Sequence, residues 1–279
     1  MKARNAAILS LLAATSVSSV LLLRQRAELR RQLDRQKQTI HRLEKESSSR
    51  EQIRRQFTAN ISHELKTPLT TISGTAELLL SGMVRAEDVP HFAGNIYQEA
   101  RRMSTLVSDI LKLSQLEEGK TIAEKAPVDL LEVCRDTAHW LRDEAQRRQI
   151  NLHVSGTPAW VVGERKVLDE MVGNLCVNSI KYNSAGGNVW IRVEPVAGRV
   201  VLTVQDDGIG IPPEHQGRVF ERFYRVDKSH SREIGGTGLG LSIVKHGAIF
   251  HNAEIELESQ PNVGTTVRIR FPQPPQPRK

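Results

Sequence analysis

The hydrophobic pattern changes character four times along the chain. Residues 6–23, AAILSLLAATSVSSVLLL, form an uncharged apolar run; eighteen helical residues at ~1.5 Å each reach about 27 Å, enough to cross a hydrocarbon core. A cleaved signal peptide is the competing reading. However, VLLL runs straight into RQRAELRRQ without a small-residue cleavage site, which favours an uncleaved anchor. From 24 to 56 there is no proline or glycine and Arg, Gln, Glu and Lys dominate, predicting a continuous helix. Leu29, Leu33, Ile40 and Leu43 fall at a/d spacing with Gln36 in one seam position, so a short parallel coiled coil is expected, a solvated spacer helix being the alternative. SSSR at 47–50 interrupts that seam before Ile53 and Phe57 resume it.

The next period is helical again. Phe57, Ile61, Leu65, Ile72, Ala76 and Leu79 repeat at three- and four-residue steps, and Phe92, Ile96, Met103, Leu106, Ile110 and Leu113 do the same over about 90–116. Residues 81–89 read as the connector. Two such helices bury their seams poorly alone, so a dimeric four-helix bundle, one antiparallel helical hairpin per chain, is the expected completion. Downstream, 164–182 reads as a helix with Val167, Met171, Leu175 and Ile180 toward a core. The stretches NVWIRVE, VVLTVQD, AEIELES and TTVRIRF alternate as half-buried strands, PVAGR turning between the first two.

Charge changes the picture only once it is located. The formal +7 is not spread evenly. Residues 1–23 hold two basic and no acidic residues, 24–56 hold eleven basic and five acidic, and 57–279 hold 26 basic against 27 acidic. The globular part is therefore near neutral, with no basic aromatic-rich surface, and nucleic acid is not an expected partner. The basic cluster just after the apolar run fits a membrane surface and, by the positive-inside rule, places the bulk of the chain in the cytoplasm. In that reducing compartment Cys134 and Cys176 are expected to be free thiols.

The chemistry starts at SHELKTPL, residues 62–69. His63 is two residues from Ile61, about 200° around the helix, so it points away from the seam. Adjacent Glu64 offers the imidazole a proton acceptor that would raise the nucleophilicity of its second ring nitrogen. Pro68 cannot donate to the Glu64 carbonyl, which predicts a bend just below His63. On the 164–182 helix Asn174, Asn178 and Lys181 lie along one stripe, two amides suited to Mg2+ and a cation suited to phosphates. Residues 213–235 form a long connection with Arg218, Arg222, Arg225, Lys228, His230 and Arg232, the composition of a mobile lid over a triphosphate. GGTGLGL then opens a helix whose free N–H groups make an anion site. No GK[ST] follows, so it is not a P-loop, and the neighbouring strands are not a parallel βαβ unit, so it is not a dinucleotide fingerprint.

Taken in order, these stretches resemble the boxes of bacterial two-component sensor histidine kinases. FTANISHELKTPL is similar to the H-box, NLCVNSIKYN at 174–183 to the N-box, DDGIGIP at 206–212 to the first glycine box and FERFYR at 220–225 to the F-box. GGTGLGLSIVKH at 235–246 is similar to the second glycine box and GTTVRIRF at 264–271 to a terminal Gly-Thr strand. The resemblance covers about 55–272. It implies a multidomain chain: a transmembrane anchor (1–23), a basic helical linker (24–56), a dimerisation and phosphotransfer domain (57–118) and an ATP-binding α+β two-layer sandwich of the Bergerat/GHKL type (127–272). A disordered tail (273–279) would follow.

For activity, the resemblance implies a protein-histidine kinase using ATP and Mg2+. His63 would be the phosphoacceptor, Glu64 the general base, Thr67 a residue for dephosphorylating the partner, and Asn178 the metal ligand. Asn174, Asn178, Lys181, Tyr182, Asp206, Gly208, Gly210, Arg222, Gly236, Gly238, Gly240 and Thr265 would form the ATP site. In it Asp206 accepts from the adenine amino group, and Gly208 and Gly210 let the backbone approach the base. The implied partners are a response-regulator receiver domain, a second copy of the chain, the bacterial cell membrane, crossed once, and a membrane sensor protein. A hydrolytic ATPase of the same fold, a dead scaffold and a serine kinase are the rivals. The first needs a carboxylate four residues before the metal-binding Asn, where this chain has Asn174. His251, Asn252 and Ala253 stand where the family has His-Gly-Gly, leaving that turn's geometry open, though Asn tolerates left-handed backbone.

Overall fold

A computed structural model describes residues 36–37, 40–42, 44–45, 47–48, 51–52, 54–117, 125–226 and 236–272. The expected membrane segment, the coiled-coil positions Leu29, Leu33 and Leu43, the lid residues 227–235 and the tail 273–279 lie outside them. Among the described residues no helix is long and apolar enough to cross a membrane. Contacts divide the chain into two units, Met1–Ser62 and His63–Lys279. Every described residue of the first is helical. There Glu51 pairs with Arg55 one turn on at 2.6 Å, and the Thr58 and Ser62 hydroxyls fold back onto the carbonyls of Arg54 and Thr58.

The second unit opens with helix α1 (63–80), and after a turn α2 (Val89–Glu117) follows. Leu65, Ile72, Ala76 and Leu79 are half-buried, while Leu106 and Leu113 of α2 are fully so. The chain stays helical through Pro68, which is itself buried. Pro68 therefore does not interrupt α1, and the Thr67 hydroxyl donates to the His63 carbonyl at 3.2 Å in the same turn.

The remainder is a two-layer α+β sandwich. Its elements are β1 (Ala126–Asp129), α3 (Leu130–Trp140), α4 (Arg142–Arg147), β2 (Asn151–Gly156), β3 (Trp160–Gly163) and α5 (Arg165–Lys181). They continue with β4 (Asn188–Val196), β5 (Arg199–Asp206), α6 (Pro213–Gln216), α7 (Gly240–Phe250), β6 (Glu254–Gln260) and β7 (Gly264–Pro272). A five-stranded sheet runs β2-β4-β5-β7-β6, with β2 parallel to β4 and every other pair antiparallel; β1 and β3 pair separately.

Alternation decides which face is covered. Val189, Ile191, Val193, Val200, Leu202, Val204, Val267, Ile269 and Phe271 point inward and join the Val167, Leu168, Met171, Val172 and Leu175 face of α5 in one core. The intervening Trp190, Arg192, Thr203 and Arg268 lie on the other face, half-buried or exposed. The PVAGR turn places Ala197 at φ 49° and Gly198 at φ 75°, the left-handed pair that matches strand twist. At the turn left open by His251-Asn252-Ala253, Asn252 adopts φ 53° and serves as the left-handed residue. Asp129 caps α3, its Oδ1 accepting from the amides of Leu131 at 3.0 Å and Ala159 at 3.2 Å, which ties β1 to the chain entering β3. Cys134 and Cys176 are both buried and unpaired by any disulfide; burial pushes the Cys176 thiol up to about 12 and raises Cys134 well above its ordinary value.

Candidate active site

The site is built where three chain ends meet: the C-terminal end of α5, the end of β5, and the loop entering α7. Asp206 is the last residue of β5. Its Oδ1 accepts from the amides of Gly208 and Thr265, each at 3.1 Å, and its Oδ2 from the Ser179 hydroxyl at 2.9 Å. Burial raises the carboxyl's pKa above the ordinary value while those three donors pull the other way. Thr265 extends the network through its hydroxyl to Ser259 at 2.8 Å. Asp207 beside it is lowered: burial, its largest single influence, is outweighed by hydrogen bonds from the backbone and side chain of Asn188 and from Asn183.

The glycines of the first glycine box lie against the protein's own backbone. A Cβ at Gly208 would overlap the Tyr182 carbonyl, and one at Gly210, where φ is 66°, would overlap the carbonyl of Gln260. Both glycines thus admit the protein's own backbone, joining the end of α5 and the end of β6 to the 206–212 turn; Ile209 donates to the Tyr182 carbonyl at 3.1 Å to close it.

The second glycine box lies against the α5 stripe. A Cβ on Gly240 would come within 2.7 Å of Asn174 Oδ1, one on Gly236 within 3.0 Å of Lys181 Nζ, and one on Gly238, at φ 72°, within 2.9 Å of the Phe223 backbone. Phe223 is itself at φ 62° and donates its amide to the Gly238 carbonyl at 2.9 Å. The F-box and the glycine loop are therefore laced together by backbone, which leaves no room for side chains between them. Asn174 donates to the Glu170 carbonyl at 2.9 Å. Lys181 Nζ sits 5.8 Å from the Tyr182 ring centre, and burial, reinforced by the charges of Arg148, Arg225 and Arg102, lowers its pKa to about 8.

Opposite this cradle stand α1 and α2. His63 is exposed, while Glu64 is half-buried with its carboxylate 3.3 Å from Arg225 and 3.9 Å from Arg102. Expected to serve the imidazole, the Glu64 carboxylate is turned to two guanidinium groups instead. Arg225 is nine-tenths covered and also donates to the Gly236 carbonyl, so one side chain touches both the helix that carries His63 and the glycine loop. Arg222 pairs with Glu117 of α2, as does His246 Nε2 at 3.5 Å. Burial, with Arg222 and Lys245 nearby, lowers His246 to about 4, so at neutral pH that last contact is not an ion pair. Thr237 donates its hydroxyl to Asp109 at 2.9 Å, and Lys112 pairs with Glu170 at 3.1 Å. Burial raises the pKa of both Asp109 and Glu117.

Asp109, Glu117, Arg102, Ser179 and Glu170 escaped the sequence reading. For Asp109 a signal was available: a carboxylate one turn after Leu106, on the flank of the apolar seam, is out of place on a purely solvated face. Among the described residues no three His, Cys, Asp or Glu side chains are grouped to hold a metal. A divalent ion here would draw on amides and phosphate oxygens, and the half-buried Asn178, whose side chain makes no hydrogen bond among the described residues, suits that role.

Comparison with known proteins resolves what this pairing of helices and cradle is. Residues 53–119 match the His Kinase A (phospho-acceptor) domain. Residues 163–275 match the histidine kinase-, DNA gyrase B-, and HSP90-like ATPase. The chain belongs to the histidine kinases. It is 37% identical over 233 residues to the sensor-like histidine kinase SenX3 of Mycolicibacterium smegmatis, covering 83% of this chain and 61% of that protein. It is 40% identical over 229 residues to the phosphate regulon sensor protein PhoR of Pseudomonas aeruginosa, covering 79% of this chain and 50% of that one. The chain thus spans only half to three fifths of the length of these two relatives. The fold of the histidine kinase AdeS from Acinetobacter baumannii superposes with a TM-score of 0.63 at 23% identity over 76% of this chain and 98% of that one.

Proposed function

We propose that the chain is a membrane-anchored sensor kinase that phosphorylates its own His63 from ATP, passes the phosphoryl group to an aspartate of a response regulator, and reverses that modification through Thr67. The observation that carries this reading is Arg225: it joins Glu64, next to the exposed His63, to the Gly236 carbonyl of the anion-binding loop. A nucleotide bound by Asn174, Lys181, Tyr182, Arg222, Gly236, Gly238, Gly240 and Thr265, with its base on Asp206, would present its phosphates on the side facing His63. The imidazole nitrogen attacks the γ-phosphorus, the bond to the β-phosphate oxygen breaks to release ADP, and the ring proton passes to Glu64 once that carboxylate leaves its arginines. Mg2+ held through Asn178 would offset phosphate charge.

The remaining assignments follow the same reading. Residues 57–118 act as the dimerisation domain: Leu69, Leu78, Val107 and Leu111 remain 43–58% exposed on the single chain, the apolar surface a second copy would cover. Residues 127–272 form the catalytic domain, and 6–23 a single span holding it at the cytoplasmic face, with input arriving through that span or a partner membrane protein. The deciding test is incubation with γ-labelled ATP and Mg2+. Acid-labile, alkali-stable label that disappears in His63→Gln is expected; label that survives the change, or phosphate release without labelled protein as from a hydrolytic ATPase, defeats the proposal.

A further inference from the structure

Away from the nucleotide cradle, strand β2 leaves one side of the five-stranded sheet open. Among the described residues it is an edge strand, paired only with β4. Asn151 donates to the Gly187 carbonyl and Thr157 to that of Val193, so residues 151, 153, 155 and 157 turn their peptide groups toward β4. By alternation, Leu152 and Val154 aim their N–H and C=O groups at the open edge. Edges of this kind are normally blunted by proline, lysine or a covering element. NLHVSG has neither proline nor a charged residue.

What stands beside the edge is a cleft of about 1050 Å³ roofed by α3 and α4. Its floor is apolar: Ala138, Ile150, Leu152 and Val154 border it, all at least partly buried against the core. Its rim is basic. Arg135, His139, Arg142 and His153 line it, and among the described residues neither Arg135 nor Arg142 makes an ion pair or hydrogen bond. The one acidic side chain on the rim, Asp136, is taken by Arg165 at 2.5 Å. The cleft thus offers unpaired main-chain groups, an apolar floor and uncompensated positive charge together.

We infer that this cleft is a docking site for an extended acidic segment of a partner protein, added to the sheet as a strand against β2. The main chain supplies affinity through the peptide groups of Leu152 and Val154, an apolar side chain settles on Ala138 and Leu152, and carboxylates meet Arg135 and Arg142. Charge selects against the other occupants on hand. The chain's own tail, QPPQPRK, and its 24–56 segment are basic, and a second copy would bring its own arginines to the same place. The site is separate from the nucleotide cradle and does not depend on the kinase reading.

The test uses the full chain and a fluorescein-labelled probe, acetyl-Val-Glu-Val-Asp-Val-Glu-amide, with a Val-Lys-Val-Lys-Val-Lys counterpart as control, read by fluorescence anisotropy. The acidic probe is expected to bind with a Kd below ~1 mM and at least ~10-fold tighter than the basic one. Arg142→Glu should weaken it by ~10-fold or more. Val154→Pro should do the same while leaving ATP binding unchanged, because the N–H it removes faces outward and not into the β4 ladder. Hydrogen exchange with saturating probe separates strand addition from electrostatic adsorption: the Leu152 and Val154 amides alone along β2 should slow. No binding, equal binding of both probes, indifference to either substitution, unchanged exchange at 152 and 154, or self-association of the free chain that Val154→Pro abolishes would each overturn the inference.

Discussion

Replacing Asp206 by asparagine isolates the recognition of a base from the support of the fold. In the native site Oδ1 takes two backbone donors and Oδ2 takes the Ser179 hydroxyl. Asparagine keeps Oδ1, so Gly208 and Thr265 stay satisfied, and the Ser179 hydroxyl turns from donor to acceptor to meet the new NH2. The cost of burying a charge, which raises the Asp206 pKa, is also removed. Stability should therefore change by less than ~1 kcal/mol. On the proposed reading, in which the adenine amino group donates to Asp206, the base fares worse, because its amino group now faces another amino group. Losing a hydrogen bond to a charged acceptor is worth ~1.5–3 kcal/mol, or ~10- to 150-fold in Kd. Asp206→Ala instead strands two amides and should cost ~2–6 kcal/mol of stability at ~1–3 each. Calorimetric titration with an ATP analogue and thermal unfolding, run on both variants, read the two effects apart. If Asp206→Asn binds nucleotide within ~3-fold of the parent, the role of Asp206 toward the base is wrong; if Asp206→Ala melts with the parent, the network does not hold the turn.

Three further outcomes are expected. Lys181 has a pKa near 8 in the folded state against 10.5 for an ordinary lysine, so between those values the unfolded chain binds more protons and stability should rise with pH. Nucleotide affinity should fall over the same window as the ammonium is lost, and pH titrations of both quantities should flatten in Lys181→Met. Gly210→Ala puts a Cβ at φ 66° and onto the Gln260 carbonyl; left-handed strain alone is ~1–2 kcal/mol, and a urea midpoint unchanged from the parent would show the turn to be more pliable than its geometry implies. Leu113→Ala in α2, where the side chain is fully buried, should lower the unfolding free energy by ~2–5 kcal/mol in chemical denaturation.

How much of this was legible beforehand depended on period and on partners. Long periodic stretches were readable: α2, α5 and strands β4 to β7 end within a residue or two of their expected limits, because their apolar residues recur often enough to fix both element and face. The region 127–163 was silent. β1 and β3 are four residues each and β2 has only two apolar residues in six, too few to declare a period. A parallel pair such as β2 with β4 also needs no local turn to announce it. The chemistry divided in the same way. His63, Asn178, Asp206 and the glycines stood out as residue types in sequence, but their neighbours did not. Glu64 finds Arg225 from 161 positions away and Asp109 finds Thr237 from 128 away, distances at which no periodicity operates. The glycines of the 206–212 turn were visible as glycines, whereas their reason, the carbonyls of Tyr182 and Gln260, belongs to the folded chain alone.

The far ends of α5 and α7 carry a consequence for the near ones. His251, closing α7, gives Nδ1 to the Gly247 carbonyl at 2.7 Å and accepts the Glu164 amide at Nε2 at 3.2 Å, so it pins the start of one helix to the finish of the other. Between that pin and the cradle the helices leave no room for a side chain at Gly247, where a Cβ would fall 2.6 Å from Met171 Sδ. The pair has the layout of tongs held at one end, with Asn174 and Lys181 on one jaw and Gly240 on the other. Gly240 lies seven residues, ~10 Å of helix, beyond Gly247, so a tilt of about 6° there opens the jaw by about 1 Å. A substitution at Gly247 or His251, remote from any nucleotide, would thus be felt as a change of grip.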